Sequence, residues 1–519
     1  MERKDVTHED VRQSAPDEPQ TTVREPGSRR TPTPARGRRA ALDRSLAHGI
    51  AWIGGVKWLT QALTWGSTIF VARVLDPSDF GLYAFATSYM GIVTLLTEFG
   101  IGTTIVTFRD MPDDHVAQVN ALALLFGVAG FLVSCLAAPL LSAFYRAPEL
   151  TLVVIATSSV FVITGVRVVP QAILQRDLRF RDLAINDGVR AIVTSTGAVI
   201  FALAGFRYWT LVASEVLAAL VATILIVRLV RVSFRWPQWR ELRDAVTFSQ
   251  QTIASRVAWY LYQNADFYVA GRMLGQQALG AYNFGWTLAS TPIERVTSLA
   301  ARVTPSILSA VQHDLHEVRR YLVTVTEALA MVAFPLTVGL ALVADLLVPL
   351  VLGDKWSTAV APLQILAVAA SIRSITPLFP QVLMVTGANH RAMWVNVFGL
   401  VVMPVAFIVG ARWNTPGIAM AWLLAYPTLV VIPMAIVTFR QVQLDWRAYV
   451  RALVPAGSAT LVMSITVLAA RAALPDTTSR AVSLLVTVAS GAAGYGATLW
   501  LLHRERVLTY VRVARRSTA

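Results

Sequence analysis

Two stretches of the chain, VARVLDPSDFGLY (Val71–Tyr83) and AGRMLGQQALGAY (Ala270–Tyr282), can be laid over one another at an offset of 199 residues. Each stretch joins two long apolar segments, so the match predicts two related halves that each open with a pair of helices. At the same offset Lys57 aligns with Arg256, which places one cation in the opening helix of each half. The identical aligned pairs within the stretches are Arg73/Arg272, Leu75/Leu274, Gly81/Gly280 and Tyr83/Tyr282.

The composition is typical of an integral membrane protein. Of the 519 residues, 55% are hydrophobic and 15% are charged, and the mean hydropathy is +0.56. The apolar runs are about 20 residues long and do not alternate with a period of two, which favours helices over a barrel. The net charge is +14, but the Lys and Arg residues sit mainly in the tail and in alternate short loops, so no nucleic-acid partner is needed to explain it. We therefore predict an all-α polytopic membrane protein.

Fourteen apolar spans are predicted, and they divide into lobes. Residues 46–235 form an N-terminal lobe of six helices, 236–441 a C-terminal lobe of six, and 442–505 two additional helices. Because each repeat has an even number of spans, the two copies share one orientation in the membrane. Residues 1–45 are expected to be a disordered basic tail, and 506–519 a second basic tail. The spans are 47–74, 81–108, 116–144, 151–174, 183–205, 208–231, 247–273, 279–307, 322–352, 359–386, 391–411, 413–439, 450–471 and 480–502.

Basic residues concentrate in alternate loops, which predicts the orientation of the chain. The most basic connection joins the two lobes, and the loops on the opposite side mostly hold one basic residue each. Cytoplasmic loops carry the excess of Lys and Arg in membrane proteins. We therefore expect a multi-pass protein of the cell inner (plasma) membrane with both termini in the cytoplasm. The basic residues of the connection between the lobes are Arg228, Arg231, Arg235, Arg240 and Arg243.

Several ionisable side chains lie inside the predicted spans, where charge is costly and commonly functional. Two cations near the same depth suit a phosphate or pyrophosphate group. The alternative is an ion pair, such as Arg256 with Glu294 or Asp266, that only holds helices together. Arg302 lies in the same region with no role assigned. The candidate substrate-binding residues are Lys57, Glu98, Arg256, Gln263, Asp266, Glu294 and Arg295.

The sequence contains no motif for catalysis, for a metal or for a cofactor. It has no Asp-x-Asp pair, no His-Glu-x-x-His and no glycine-rich phosphate loop with a lysine. We therefore predict that the protein is not an enzyme and uses no cofactor. Pro427 and Pro433 fall inside the twelfth span, where proline removes a backbone hydrogen bond and is expected to bend the helix.

The opening GGVKWLTQALTWGSTIFVARVLDPSDFGLYAFATSYMGIVTLLTEFGIGTTIV (Gly54–Val106) resembles the first two helices of Wzx-type polysaccharide flippases. The resemblance is greatest to the exopolysaccharide-export branch of the multidrug/oligosaccharidyl-lipid/polysaccharide exporter superfamily. Three further stretches resemble the same branch: QAILQRDLRF (Gln171–Phe180), NADFYVAGRMLGQQALGAYNFGWTLASTPIE (Asn264–Glu294) and ARVTPSILSAVQHD (Ala301–Asp314).

This resemblance implies a carrier that moves an undecaprenyl-type pyrophosphate-linked oligosaccharide from the inner to the outer leaflet by alternating access. Its partners would be that substrate, membrane lipids and, as an open question, a polysaccharide polymerase or synthase complex. The family's cationic cavity positions match Lys57, Arg256 and Arg295, and Asp266 matches an acidic position of the branch. Glu98 and Glu294 depart from a purely cationic cavity. Two alternatives stay open: a cation-coupled multidrug or small-molecule exporter, and a non-transporting scaffold of a glycan assembly complex.

Overall fold

The computed structural model describes residues 60–97, 102, 105–106, 111–238, 257, 259–311, 314–475, 477–506 and 508. All regular structure in these residues is helical. Side chains are described for all of them except residues 96–97, 299–303, 305–306 and 309. Eight segments within the described part are long and apolar enough to cross a membrane. The prediction of an all-α polytopic membrane protein is therefore confirmed.

The first half of the structure, residues 60–238, is built from six helices. A run of leucine, valine and alanine residues favours each of them, because unbroken apolar helices satisfy their own backbone hydrogen bonds. Helices α3 and α4 pack along their length, as do α5 and α6. The bounds are residues 60–74 (α1), Pro77–Thr97 (α2), Asp113–Tyr145 (α3), Leu150–Arg176 (α4), Phe180–Leu203 (α5) and Trp209–Leu229 (α6).

The second half, residues 257–442, is also built from helices, with more interruptions between them. Its first long element, α7, spans Ala265–Ala310 and is broken at Gly275, whose φ of 85° suits only glycine. The last two helices of the chain, α14 and α15, come after this half. The remaining bounds are Leu315–Leu352 (α8), Val360–Ile375 (α9), Leu378–Val385 (α10), Asn389–Gly410 (α11), Asn414–Met420 (α12), Ile432–Val442 (α13), Trp446–Ala473 (α14) and Arg480–Leu502 (α15).

The two aligned stretches of the sequence cross each other at two glycines. A β-carbon on Gly81 would overlap the carbonyl oxygen of Gln276, and one on Gly280 would overlap the carbonyl oxygen of Pro77. Pro77 and Gln276 are themselves aligned at the offset of 199 residues. The contact is therefore reciprocal, as expected for two stretches related by a two-fold axis. Only glycine allows helix backbones to approach so closely.

Beside this crossing, the two aligned arginines each reach into the other half. Arg73 donates hydrogen bonds to the carbonyl oxygens of Leu350 and Val351, at 2.8 and 2.6 Å. Arg272 instead lies over the ring of Phe144, 5.5 Å from its centroid. The same sequence position thus joins the halves by hydrogen bonds on one side and by a cation–π contact on the other.

The last two helices are held against α8 by ion pairs near their ends. Arg471 of α14 forms a salt bridge with Asp345. Arg506, just beyond α15, forms one with Glu327 at 2.7 Å. Helices α14 and α15 therefore pack on the outside of the second half and leave its interior to α7 through α13.

Candidate functional site

A cavity of about 540 Å³ lies among the helices of the second half. It is lined by the start and middle of the α7 region and by α9, α10, α11 and the segment before α13. Trp259, Tyr262 and Tyr426 add aromatic surface. Side chains with amide groups face it from three elements, which gives a hydroxyl-rich ligand many possible hydrogen bonds. The charged and amide residues of the lining are Gln263, Glu294, Arg373, Gln381, Asn389 and Asn396, and its Ser and Thr residues are Ser290, Thr297 and Thr376.

Among the described residues, Arg373 is the cation that lines this larger cavity, and it is not one of the predicted binding residues. Its guanidinium lies 4.0 Å from the ring centroid of Trp286 and 5.1 Å from that of Trp422. Among the described residues it makes no hydrogen bond or salt bridge. Stacking engages the faces of the planar group and leaves the N–H donors at its edge available. Arg373 can therefore receive an anionic oxygen from the cavity.

Asp266 lies behind this aromatic pair and is wholly buried. One carboxylate oxygen accepts hydrogen bonds from the Tyr282 hydroxyl at 2.7 Å and from the Trp422 indole N–H at 2.8 Å. The other accepts the backbone N–H of Phe267 at 2.9 Å. A buried carboxylate needs such partners, and the bond from its indole N–H fixes the side chain of Trp422. Asp266 is not part of the cavity lining, and its predicted contact with substrate stays a prediction.

The backbone around Trp422 is wound more loosely than an α-helix. Residues Ala421–Ala425 and Pro427–Val431 form π-helical turns between α12 and α13. Pro427 has no backbone N–H, so the normal helical bond cannot form there. The predicted bend in this span thus takes the form of widened turns, which often occur at functional sites. They bring Trp422 against Arg373 and Tyr426 to the cavity.

The remaining predicted residues separate into three groups. Gln263 and Glu294 line the larger cavity, so the structure brings these two together. Arg295 is exposed, and its guanidinium donates to the side chain of Gln61 on α1. The side chains of the others lie outside the described residues: Lys57, Glu98, Arg256 and Arg302.

A smaller cavity of about 250 Å³ lies in the first half, lined by Arg167, Arg190 and Glu215. Arg190 and Glu215 form a salt bridge at 2.5 Å across α5 and α6. Arg167 on α4 and Arg373 on α9 each stand in the fourth predicted span of their half. Their offset is 206 residues instead of 199. Comparing the fourth spans with a shifted register could have drawn attention to Arg373.

The described residues were also compared with the arrangements of side chains that hold a metal ion. Within them, no group of three or more His, Cys, Asp and Glu side chains is arranged to hold a metal ion. Among the described residues, the polar groups that line the larger cavity are amides and hydroxyls together with the cation of Arg373 and the carboxylate of Glu294. Such a lining suits binding of a polar, partly anionic molecule.

Helices that span a membrane and enclose a polar cavity define a class of multi-pass membrane transporters. The solved structure of the lipid II flippase MurJ in an inward closed conformation superposes with a TM-score of 0.69 and 11% sequence identity. That match covers 88% of this chain and 100% of the MurJ chain. At this identity the likeness establishes the fold alone.

Residues 70–361, more than half of the chain, match the family described as "Polysaccharide biosynthesis protein". The chain belongs to this family, and the resemblance to Wzx-type flippases is confirmed. It is a family of membrane transporters and not of enzymes.

Two curated relatives are similar at low identity. The teichuronic acid biosynthesis protein TuaB of Bacillus subtilis is 25% identical over 312 residues, which are 58% of this chain and 63% of TuaB. The lipopolysaccharide biosynthesis protein WzxC of Escherichia coli is 23% identical over 390 residues, 72% of this chain and 78% of WzxC. The chain thus spans less than two thirds of the first of these relatives.

Proposed function

We propose that the protein is a flippase that moves prenyl-pyrophosphate-linked oligosaccharide repeat units from the inner to the outer leaflet by alternating access. The product would serve cell-surface or exopolysaccharide biosynthesis. One observation carries this proposal: a cavity of about 540 Å³ inside the helices combines a guanidinium without a protein partner among the described residues with a wall of amides and aromatic rings. Membership in the polysaccharide biosynthesis family and similarity to TuaB and WzxC support a glycan as cargo.

The proposed architecture has fourteen transmembrane helices. Two lobes of six, residues 46–235 and 236–441, run in the same direction, and residues 442–505 add two helices. The reciprocal contact of Gly81 and Gly280 supports a two-fold relation between the lobes. The basic residues of alternate loops support cytoplasmic termini in the plasma membrane.

In the proposed site, cations hold the pyrophosphate, the glycan occupies the polar cavity, and the prenyl chain stays in the lipid. The predicted binding residues are kept, with Asp266 acting from behind the cavity wall. Outward movement of negative charge is favoured by an inside-negative potential, by about 2.3 kcal/mol per charge per 100 mV. A pyrophosphate with roughly two charges would gain several kcal/mol in this way. The residues are Lys57, Arg256, Arg295, Gln263, Glu98, Glu294 and Asp266.

Deletion of the gene in its host tests the function directly. The expected result is build-up of a prenyl-pyrophosphate oligosaccharide on the inner leaflet together with loss of surface polysaccharide. The wild-type gene should reverse both changes, whereas a membrane-inserted Arg256→Ala variant should reverse neither. Normal export by an inserted Lys57→Ala, Arg256→Ala double variant would contradict the cationic site.

The same deletion separates the two alternative functions. Unchanged glycan with altered drug tolerance would favour a cation-coupled exporter, for which the exposed Glu294 on the cavity wall is the specific observation. Loss of glycan that is fully restored by variants lacking the cavity charges would favour a non-transporting scaffold. A partner synthase or polymerase would then be the protein to seek.

A further inference from the structure

We propose that Arg373 binds the anionic group of the substrate, a phosphate or a carboxylate, and that Trp286, Trp422 and Asp266 position it for this role. The proposal rests on the proposed function, since it names the chemistry recognised in the same cavity. A lipid-linked glycan offers two sources of such a group: its pyrophosphate linkage and the carboxylate of an acidic sugar. Both present oxygens that match the edge of a guanidinium.

Three other arginines of the structure have a protein acceptor, which Arg373 lacks among the described residues. Arg190 is paired with Glu215, and Arg471 with Asp345. Arg295 donates to the side chain of Gln61. Arg373 is half-buried, yet within the part of the chain that the structure describes its contacts are two indole faces and no acceptor. A ligand oxygen at the edge of this guanidinium would supply the missing acceptor and form charge-assisted hydrogen bonds.

The carboxylate of Glu294 does not supply that acceptor. Glu294 lines the same cavity, but no salt bridge within 4.0 Å joins it to Arg373 among the described residues. Its side chain is exposed, so it is hydrated and available to solvent. An anion bound to Arg373 would share the cavity with this negative charge, which lowers the affinity and assists release.

The surroundings of Arg373 hold its plane in one orientation. The two indoles lie 5.2 Å apart between ring centroids, and Trp422 also contacts Phe407 at 5.3 Å. The N–H of Trp422 is bound to the buried carboxylate of Asp266, and the Tyr282 hydroxyl shares the same oxygen. Trp422 therefore cannot rotate without breaking a buried, charge-assisted bond. Asp266 makes no hydrogen bond to Arg373 among the described residues; it acts on the guanidinium by holding Trp422 and through its own negative charge, so it is a positioning residue.

The cavity walls beside Arg373 carry groups that can bind a sugar attached to the anionic group. Gln263, Gln381 and Asn396 present amides, and Trp259 offers an exposed ring. Amides exchange donor and acceptor roles with sugar hydroxyls, and an aromatic face packs against the apolar face of a sugar ring. The ligand class is therefore an anionic group joined to a sugar.

Binding to purified full-length protein in detergent tests the anion site, with inorganic pyrophosphate and glucuronate as separate probes in isothermal titration. Wild type and an Arg412→Gln control, altered at an exposed loop arginine, should bind alike. Arg373→Gln should bind at least tenfold more weakly at an unchanged unfolding temperature. Binding of pyrophosphate identifies the linkage as the source, and binding of glucuronate alone identifies an acidic sugar. Equal binding by wild type and Arg373→Gln, or binding of neither probe by wild type, overturns the proposal.

The positioning role needs a pair of variants at Trp422. Trp422→Ala removes the ring that supports Arg373, and Trp422→Phe restores a ring without the N–H. The expected affinities for the bound probe fall in the order wild type, Trp422→Phe, Trp422→Ala, with one site per protein in each. A role in stability alone would lower the fraction of protein that binds and leave the affinity of that fraction unchanged. That result would overturn the positioning role.

Export in the deletion host separates this inference from the proposed function. If wild type restores surface glycan and Arg373→Gln restores it equally, the inference fails while the flippase function stands. If wild type has no effect on glycan but purified protein binds pyrophosphate through Arg373, the flippase function fails and the anion site stands.

Discussion

The two halves of the protein are alike at the glycine contact between them and differ in the charged residues of their cavities. At the crossing, Gly81 and Gly280 make the same backbone contact in both directions. In the cavities, by contrast, Arg190 of the first half is neutralised by Glu215, whereas Arg373 of the second half rests on two indoles. The halves thus share the backbone contact at the crossing. They differ because the guanidinium of Arg190 is paired with a carboxylate, whereas that of Arg373 is available to a ligand.

The largest effect is expected at the crossing itself. Gly81→Ala and Gly280→Ala should each destabilise the fold by about 3 kcal/mol or more, because the new methyl group meets a backbone carbonyl that cannot rotate away. The measurement is thermal unfolding of detergent-purified protein. Gly66→Ala is the control, since a β-carbon there would meet nothing within 4 Å. If one crossing glycine tolerates alanine and the other does not, the halves are not equivalent at this contact.

A smaller and unequal effect should follow from substitution at Asp266 and its aligned residue, Ser67. Asp266→Ala leaves the buried donors of Tyr282 and Trp422 without an acceptor, for an expected loss of about 2–4 kcal/mol. Ser67→Ala should cost less than about 1 kcal/mol, because its hydroxyl donates only to the carbonyl of Thr64. Unfolding temperatures of the two variants compare these losses. Equal losses would contradict the assignment of Asp266 as a buried anchor.

Glu215→Gln should make the two cavities more alike. It removes the carboxylate that pairs with Arg190, at an expected cost in stability of about 1 kcal/mol, since both side chains are partly exposed. In an Arg373→Gln background, the released Arg190 should also restore weak pyrophosphate binding, measurable by titration. Absence of any binding in this double variant would indicate that the pair alone does not account for the difference between the cavities.

The smallest effect is expected for Glu294→Gln. Loss of this exposed charge from the larger cavity should raise the affinity for inorganic pyrophosphate by about twofold to threefold at low salt. The gain should fade as ionic strength rises, because exposed charges are screened. Titrations at two salt concentrations measure it, with Arg412→Gln as the reference. A lower affinity would show that Glu294 assists the anion.

Much of the fold could be predicted because apolar length is a local property of the sequence. The spans predicted at 151–174 and 480–502 correspond to Leu150–Arg176 and Arg480–Leu502. The repeat also pointed to the crossing, since its aligned glycines are the ones in contact. Gln263 and Glu294 reach the same cavity because both stand on polar positions of adjacent apolar helices.

The surroundings of Arg373 could not be predicted in the same way. Trp286 and Trp422 come from spans eight and twelve, and a lone arginine in span ten gave no sign that they would enclose it. The donors to the Asp266 carboxylate, Tyr282 and Trp422, are 16 and 156 positions away in the sequence. The widened turns at Trp422 depend on the same packing. Such contacts follow from the three-dimensional arrangement of helices and leave no periodic trace in the sequence.

The glycine crossing also limits how the halves can move. With carbonyls of Pro77 and Gln276 in the way, sliding of α2 along α7 would bring backbone atoms into collision. Rotation of α2 about the contact of Gly81 with Gly280 avoids this collision, so that contact can act as a pivot. From Gly81 to its end at Thr97, α2 extends about 24 Å. A tilt of roughly 10° would therefore move the far end of α2 by about 4 Å while the backbone near Gly81 stays almost in place.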